Sequence, residues 1–108
     1  MKLLTKELEK RFAEVGSQEN EKDPIVIAKF FNPTGAGTWW ATEYDDPVDK
    51  IFFGYASIFG DHNDEWGYVG LNEFEGYVGR FGLGIERDLH CGEKRISEFK
   101  IPSLVIDK

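Results

Sequence analysis

Two adjacent tryptophans lie in a segment that predicts a β-strand, residues 37–46 with the sequence GTWWATEYDD. Successive side chains of a strand point to opposite faces of its sheet, so Trp39 and Trp40 cannot both face one core. Uninterrupted alternation puts Trp39 on the same face as Glu43 and Asp45. We therefore expect Trp40 to be the core residue beneath a helix, and Trp39 to be partly exposed at the edge of an acidic binding surface.

The clearest local prediction is a helix near the N-terminus, over residues 5–15. It begins at Thr5, a favourable N-cap residue, and is followed by Gly16, which suits the position just after a helix. Apolar residues recur at the spacing that one buried helix face requires: Leu4, Leu8, Phe12 and Val15. This helix is expected to cover one face of the sheet.

The rest of the chain predicts strands joined by turns. Strands are expected at residues 25–31, 38–44, 51–59, 66–70 and 85–91, with a short second helix from Asn72 and an exposed polar connection at residues 17–24. Gly54, inside a strand, indicates a bulge or a close approach of two backbones. The predicted fold class is α+β, an N-terminal helix packed on a mostly antiparallel sheet of about five strands with a short second helix. We expect one domain, residues 1–108.

The charge of the chain is unevenly distributed. The net charge is −7 at neutral pH, and residues 41–75 hold nine acidic residues against Lys50 alone, a balance of −8. Direct binding of nucleic acid is disfavoured, because it needs basic surface to neutralise phosphates. A basic protein is the partner that this charge favours.

The sequence also predicts a cytoplasmic protein. Cys91 is the only cysteine, so no internal disulfide can form, and a lone thiol suits a reducing compartment. Charged residues interrupt the apolar start of the chain, and no segment approaches the ~20 apolar residues of a membrane span. We expect no membrane association.

Aromatic and acidic residues occur together in the middle of the chain. Tryptophan and tyrosine dominate many binding surfaces, and nearby acids steer a basic partner. The predicted partner-binding residues are Trp39, Glu43, Asp45, Asp46, Asp61, Asp64, Glu65 and Trp66. The open alternative is that the aromatic residues fill a two-sided core while the acids only keep the turns soluble.

A second hypothesis is enzymatic and concerns residues 85–91, IERDLHC. On a strand, Glu86, Asp88 and His90 share one face, where carboxylates beside an imidazole suit acid/base catalysis or metal binding. No nucleophile or complete metal template accompanies them. We therefore favour a non-enzymatic protein and predict no catalytic residue, cofactor or metal ligand.

Two neighbours in this segment have structural interpretations. Arg87 shares its predicted face with apolar residues, so it is expected to pair with Glu73 or Glu75. Cys91 is expected to be a buried structural thiol.

The chain resembles a family of short single-domain bacterial proteins of unknown function that occur on plasmids, integrative elements and phages. The matching segments are LLTKELEK, WWATEYD, FFGY, GYVGLNEFE and GLGIERDLH, although family members often have proline where this chain has Gly84. The resemblance implies an accessory protein of mobile DNA and supplies no catalytic residue. We thus expect a small acidic interaction protein that binds a basic nucleic-acid-handling protein, such as an anti-defence inhibitor; a homodimer remains open.

Overall fold

A computed structural model describes residues 2–45, 48–58 and 64–104 of the chain. Its helices are α1 (Lys6–Val15) and α2 (Leu71–Gly76), with single 3-10 turns at Arg80–Gly82 and Ile96–Phe99. Its strands are β1 (Ile25–Val26), β2 (Ala28–Phe31), β3 (Thr38–Asp45), β4 (Ile51–Ser57), β5 (Glu65–Gly70), β6 (Glu86–Arg87) and β7 (Lys94–Arg95). In these ranges, five strands form an antiparallel sheet in the order β5-β4-β3-β2-β6, and β1 pairs with β7. The α+β prediction is confirmed.

Helix α1 begins and ends where its sequence predicts. The Thr5 hydroxyl accepts a hydrogen bond from Leu8 N at 3.2 Å, which satisfies one of the free N–H groups of the first turn. Gly16 ends the helix with φ of 68° and donates its N–H to Phe12 O at 2.9 Å. Both predicted caps are confirmed.

Both helices pack against one face of the sheet, which we call the helix face. Phe12 of α1 and Phe74 of α2 are buried there against Phe30 and Phe52. The ring centres of Phe30 lie 5.0 Å from Phe52 and 5.1 Å from Phe74, within the range of favourable aromatic contacts. Trp39 is partly buried at the margin of this core.

The opposite face of the sheet, which we call the second face, is covered in part by the C-terminal segment. Ile96 and Ile101 are buried here against Trp40 and Tyr55. Ile96 N donates to Pro24 O at 2.9 Å, which ties this segment to the start of β1. Trp40 is buried, as predicted, but the expectation that a helix covers it is wrong, because α1 and α2 pack on the face of Trp39.

A β-bulge in β3 changes which side chains share a face. Ala41 lies opposite Gly54, whereas Glu43 lies opposite Phe53, so Thr42 is an extra residue in β3. The predicted grouping of Trp39 with Glu43 and Asp45 is therefore wrong. Beyond Thr42 the alternation is reversed, and both acidic residues lie on the second face.

Gly54 is confirmed as a point of close backbone approach. A Cβ atom at this position would lie 2.0 Å from Trp40 O, far inside van der Waals contact. A residue without a side chain thus lets the bulged strand pass close to β4.

Two predicted strands are shorter or divided. Residues 25–31 form β1 and β2, which belong to different sheets and are separated by Ile27, whose N–H donates to Ala41 O at 2.9 Å. The strand predicted at residues 85–91 is regular only over Glu86–Arg87. The end of the strand predicted at residues 51–59 falls outside the described residues.

Candidate functional site

Three aromatic side chains remain accessible on the second face, beyond the C-terminal segment. Phe53 of β4 and Trp66 and Tyr68 of β5 are neighbours across the two strands. The ring centres of Phe53 and Tyr68 are 4.9 Å apart, and those of Phe53 and Trp66 are 5.9 Å apart. Tyr68 is 77% exposed, so the aromatic row continues from the buried cluster out to solvent.

These rings line one side of a groove of about 560 Å³, here called the aromatic groove. The opposite side is formed by the connection between α1 and β1, including Ser17, Gln18 and Pro24. Thr42 and Glu43 of β3 complete the lining. The volume falls within the range of ~300–1,000 Å³ typical of ligand sites.

Gln18 fixes the connecting segment against the sheet. Its Nε2 donates to Ile25 O at 2.9 Å and to Thr42 O at 2.8 Å, and its Oε1 accepts from Ile25 N at 2.8 Å. Its backbone N–H donates to Glu43 Oε2 at 3.2 Å. No local sequence pattern indicates this role, because a polar residue in a segment without periodicity predicts only an exposed connection.

The lining of the aromatic groove is acidic overall. Glu19, Glu21 and Glu43 contribute three carboxylates, and Lys22 contributes one ammonium group. Glu21 Oε2 also lies 3.4 Å from Arg95 Nη1, an exposed ion pair of small energetic weight. Opposite charge on a ligand is therefore favoured at this surface.

Two of the predicted binding residues, Glu43 and Trp66, line the aromatic groove. Asp45 lies in an adjoining recess that Glu43 and Tyr68 also line, which extends the acidic surface toward α1. Asp46 and Asp61 lie outside the described residues. The bulge thus brings Glu43 and Asp45 beside the aromatic row.

Two other predicted binding residues, Trp39 and Glu65, lie together outside the aromatic groove. Both line a smaller recess of about 130 Å³ over Gly54 and Gly67. The Trp39 ring packs edge-on against Phe74 with a centroid distance of 5.0 Å. The partial exposure predicted for Trp39 is confirmed, but this ring belongs to the margin of the helix-face core and not to the groove.

Asp64 holds the C-terminal segment to the sheet. Its Oδ2 accepts hydrogen bonds from Ser57 Oγ at 2.6 Å and from Ser103 Oγ at 2.5 Å. Ser103 Oγ is also 2.9 Å from the Tyr55 hydroxyl. Asp64 therefore links β4 and β5 to the segment that covers Trp40.

Glu86, Asp88 and His90, the residues of the enzymatic hypothesis, do not lie on one regular strand. β6 ends at Arg87, and His90 lies in a turn, so strict alternation does not place His90 with Glu86 and Asp88. Asp88 Oδ2 lies 3.6 Å from Lys29 Nζ, and its Oδ1 accepts from His90 N at 2.9 Å. Among residues 2–45, 48–58 and 64–104, no group of three His, Cys, Asp or Glu residues is placed to hold a metal ion.

Arg87 and Cys91 have contacts with structural roles. Arg87 Nη1 donates to Lys2 O at 2.7 Å and to Leu3 O at 3.1 Å, which holds the start of the chain against β6. Cys91 is half-buried rather than fully buried. Burial raises the pKa of the Cys91 thiol, with a further contribution from the Asp88 carboxylate. A raised pKa leaves less of the nucleophilic thiolate at neutral pH.

Residues 3–101 match the model of a family described as "Protein of unknown function (DUF2958)". No curated protein and no solved structure matches the chain. Across the described part of the chain, every helix is too short or too polar to cross a bilayer.

Proposed function

The chain belongs to the DUF2958 family, and we propose that it is a small non-enzymatic interaction protein whose aromatic groove binds a basic protein. The observation that carries the proposal is the row of Phe53, Trp66 and Tyr68 on a sheet face that the fold leaves partly open. Acidic groups border the same row. The alternative function at Glu86, Asp88 and His90 gains no comparable support.

The exposure of Tyr68 supports binding, because packing of the core does not require a ring that lies so far in solvent. Tyr68 follows Gly67 in β5 and is 77% exposed, although its ring contacts Phe53. Large aromatic side chains that protrude beside a groove are the type that supplies most of the binding energy in protein interfaces. A partner that covered Tyr68 and Phe53 would remove their apolar area from water.

Charge supports a basic partner. Glu43 and Asp45 flank the aromatic row, and Glu19 and Glu21 lie on the facing segment. Such an arrangement accelerates the encounter with a positively charged surface and fixes its orientation. The attraction weakens as salt screens exposed charges beyond about 10 Å at 0.1 M ionic strength.

The biological setting that we propose is a mobile genetic element, with a nucleic-acid-handling host enzyme as the partner and inhibition of host defence as the outcome. The net charge of −7 supports a target that normally carries basic surface for nucleic acid. The bacterial and mobile-element setting follows from the family resemblance given above. Direct nucleic-acid binding by this chain is not part of the proposal.

Affinity capture from a bacterial extract tests the proposal when the wild-type protein is compared with one variant changed in the groove and one changed on the helix face. We expect the wild-type protein to retain basic proteins that leave the resin as salt rises. A Glu43→Gln, Tyr68→Ala double variant should lose them, whereas Glu75→Gln, which changes an exposed carboxylate of α2 on the helix face, should keep them. Equal retention by the double variant, or retention that salt does not change, would contradict the proposal.

A further inference from the structure

We infer that the aromatic groove is a guanidinium site, so that the partner enters it with an arginine side chain. This inference rests on the proposed function and narrows it from basic proteins in general to one chemical group. Three observations carry it: the relative orientation of the rings, the position of a carboxylate beside them and the charge of the remaining lining.

The rings are arranged for a planar cation. The planes of Phe53 and Trp66 are only 14° from parallel, so a flat group that lies on either ring is nearly parallel to both. Tyr68 is tilted by 58° to Phe53 and forms a side wall. A guanidinium group stacks on aromatic faces through both its charge and its planarity, whereas an ammonium group acts only as a point charge.

The carboxylate of Glu43 is placed to receive the charged end. Glu43 is the cross-strand neighbour of Phe53, so its side chain lies on the same face as the aromatic row. Its Oε2 accepts a hydrogen bond from Gln18 N at 3.2 Å, which orients the carboxylate at the groove wall. A held carboxylate can accept the paired N–H donors of an arginine fork.

The cost of removing water also favours arginine. A guanidinium group is more weakly hydrated than an ammonium group, so it loses less hydration free energy when it contacts aromatic rings. Among the described residues that line the groove, Lys22 is the single basic one; it is exposed, and the acidic groups Glu19, Glu21 and Glu43 outnumber it. The site therefore stays attractive to an entering cation.

Isothermal titration calorimetry with three matched peptides tests this inference. The peptides carry arginine, lysine or citrulline at the same positions; citrulline keeps the planar group but has no charge. We expect the arginine peptide to bind about tenfold more tightly than either of the others, since stacking and the forked contact act together. Glu43→Gln, which keeps an oxygen acceptor for Gln18, should remove most of this preference, and Glu75→Gln, at an exposed position of α2, should leave it unchanged.

Each of the other outcomes contradicts either the guanidinium site or the proposed function. Equal binding of the arginine and lysine peptides would refute the guanidinium site and leave the proposed function standing. Equal binding of the citrulline peptide would refute the role of charge. Absence of binding by both cationic peptides would count against the proposed function as well. Self-association at rising protein concentration, blocked by Tyr68→Ala, would show that a second copy occupies the groove.

Discussion

Phe52 and Phe53 are consecutive residues of β4, yet they lie in very different surroundings. Phe52 is 1% exposed on the helix face, between Phe12 and Phe74, whereas Phe53 is half-buried on the second face beside exposed Tyr68. The two residues have the same side chain and adjacent positions. The difference shows that aromatic content alone does not separate a core from a surface; the elements that cover each face decide it.

The two faces also differ in charge. The helix face carries Trp39, Ala41 and Tyr44 of β3, which all pack toward the core. The bulge at Thr42 turns Glu43 to the second face, opposite Phe53. One extra residue thus places Glu43 and Asp45 on the same face as the uncovered rings. Under our proposal, the helix face stabilises the fold and the second face binds the partner.

The largest expected effect on stability is at Phe52. Phe52→Ala should lower the free energy of unfolding by about 3–5 kcal/mol, because it leaves a cavity among packed rings. Phe53→Ala should cost about 1–2 kcal/mol, since this ring already meets solvent. Urea denaturation of both variants measures the difference, and equal losses would contradict the distinction between the faces.

The next effect concerns the close approach of bulged β3 to Gly54 of β4, which pairs on its other side with Gly67 of β5. Gly54→Ala should destabilise the fold by about 1–3 kcal/mol, because the added Cβ would lie 2.0 Å from Trp40 O and the strands must shift. Gly67→Ala is the matched control, because a Cβ there meets no atom within 4 Å. Thermal unfolding that ranks Gly67→Ala as the more harmful change would show that the bulge geometry is wrong.

The smallest effect on stability is expected at Tyr68. Tyr68→Ser should change the free energy of unfolding by less than about 0.5 kcal/mol, as for most exposed positions. The same change should abolish binding of a basic partner. A loss of stability as large as that of Phe53→Ala would indicate that Tyr68 stabilises the fold and is not kept for binding.

The sequence predicted those parts of the fold that depend on short-range rules. Thr5 and Gly16 mark the helix ends because caps are local hydrogen-bonding and backbone requirements. Gly54 predicts a close approach of two backbones, because glycine destabilises the interior of a strand and is typical of positions where a side chain would not fit. Glu43 and Trp66, two of the predicted binding residues, line one groove, and their role in binding stays a prediction.

What could not be predicted depends on long-range contacts. The strand pattern does not contain the bulge, so the expected faces of Glu43 and Asp45 were reversed. Gln18 contacts residues far along the chain, and no local pattern marks it. The cover over Trp40 comes from residues 96–101, whose state the local sequence does not determine.

The three tryptophans of the chain report separately on the two faces and can show whether binding occurs on the second face, as we propose. Trp66 lies in the groove, Trp39 on the helix face and Trp40 of β3 in the buried cluster that the C-terminal segment covers. Their indole N–H signals can be followed by NMR while the arginine peptide is added. We predict that the Trp66 signal shifts and saturates while those of Trp39 and Trp40 stay in place; a shift of Trp39 with an unchanged Trp66 would contradict binding on the second face.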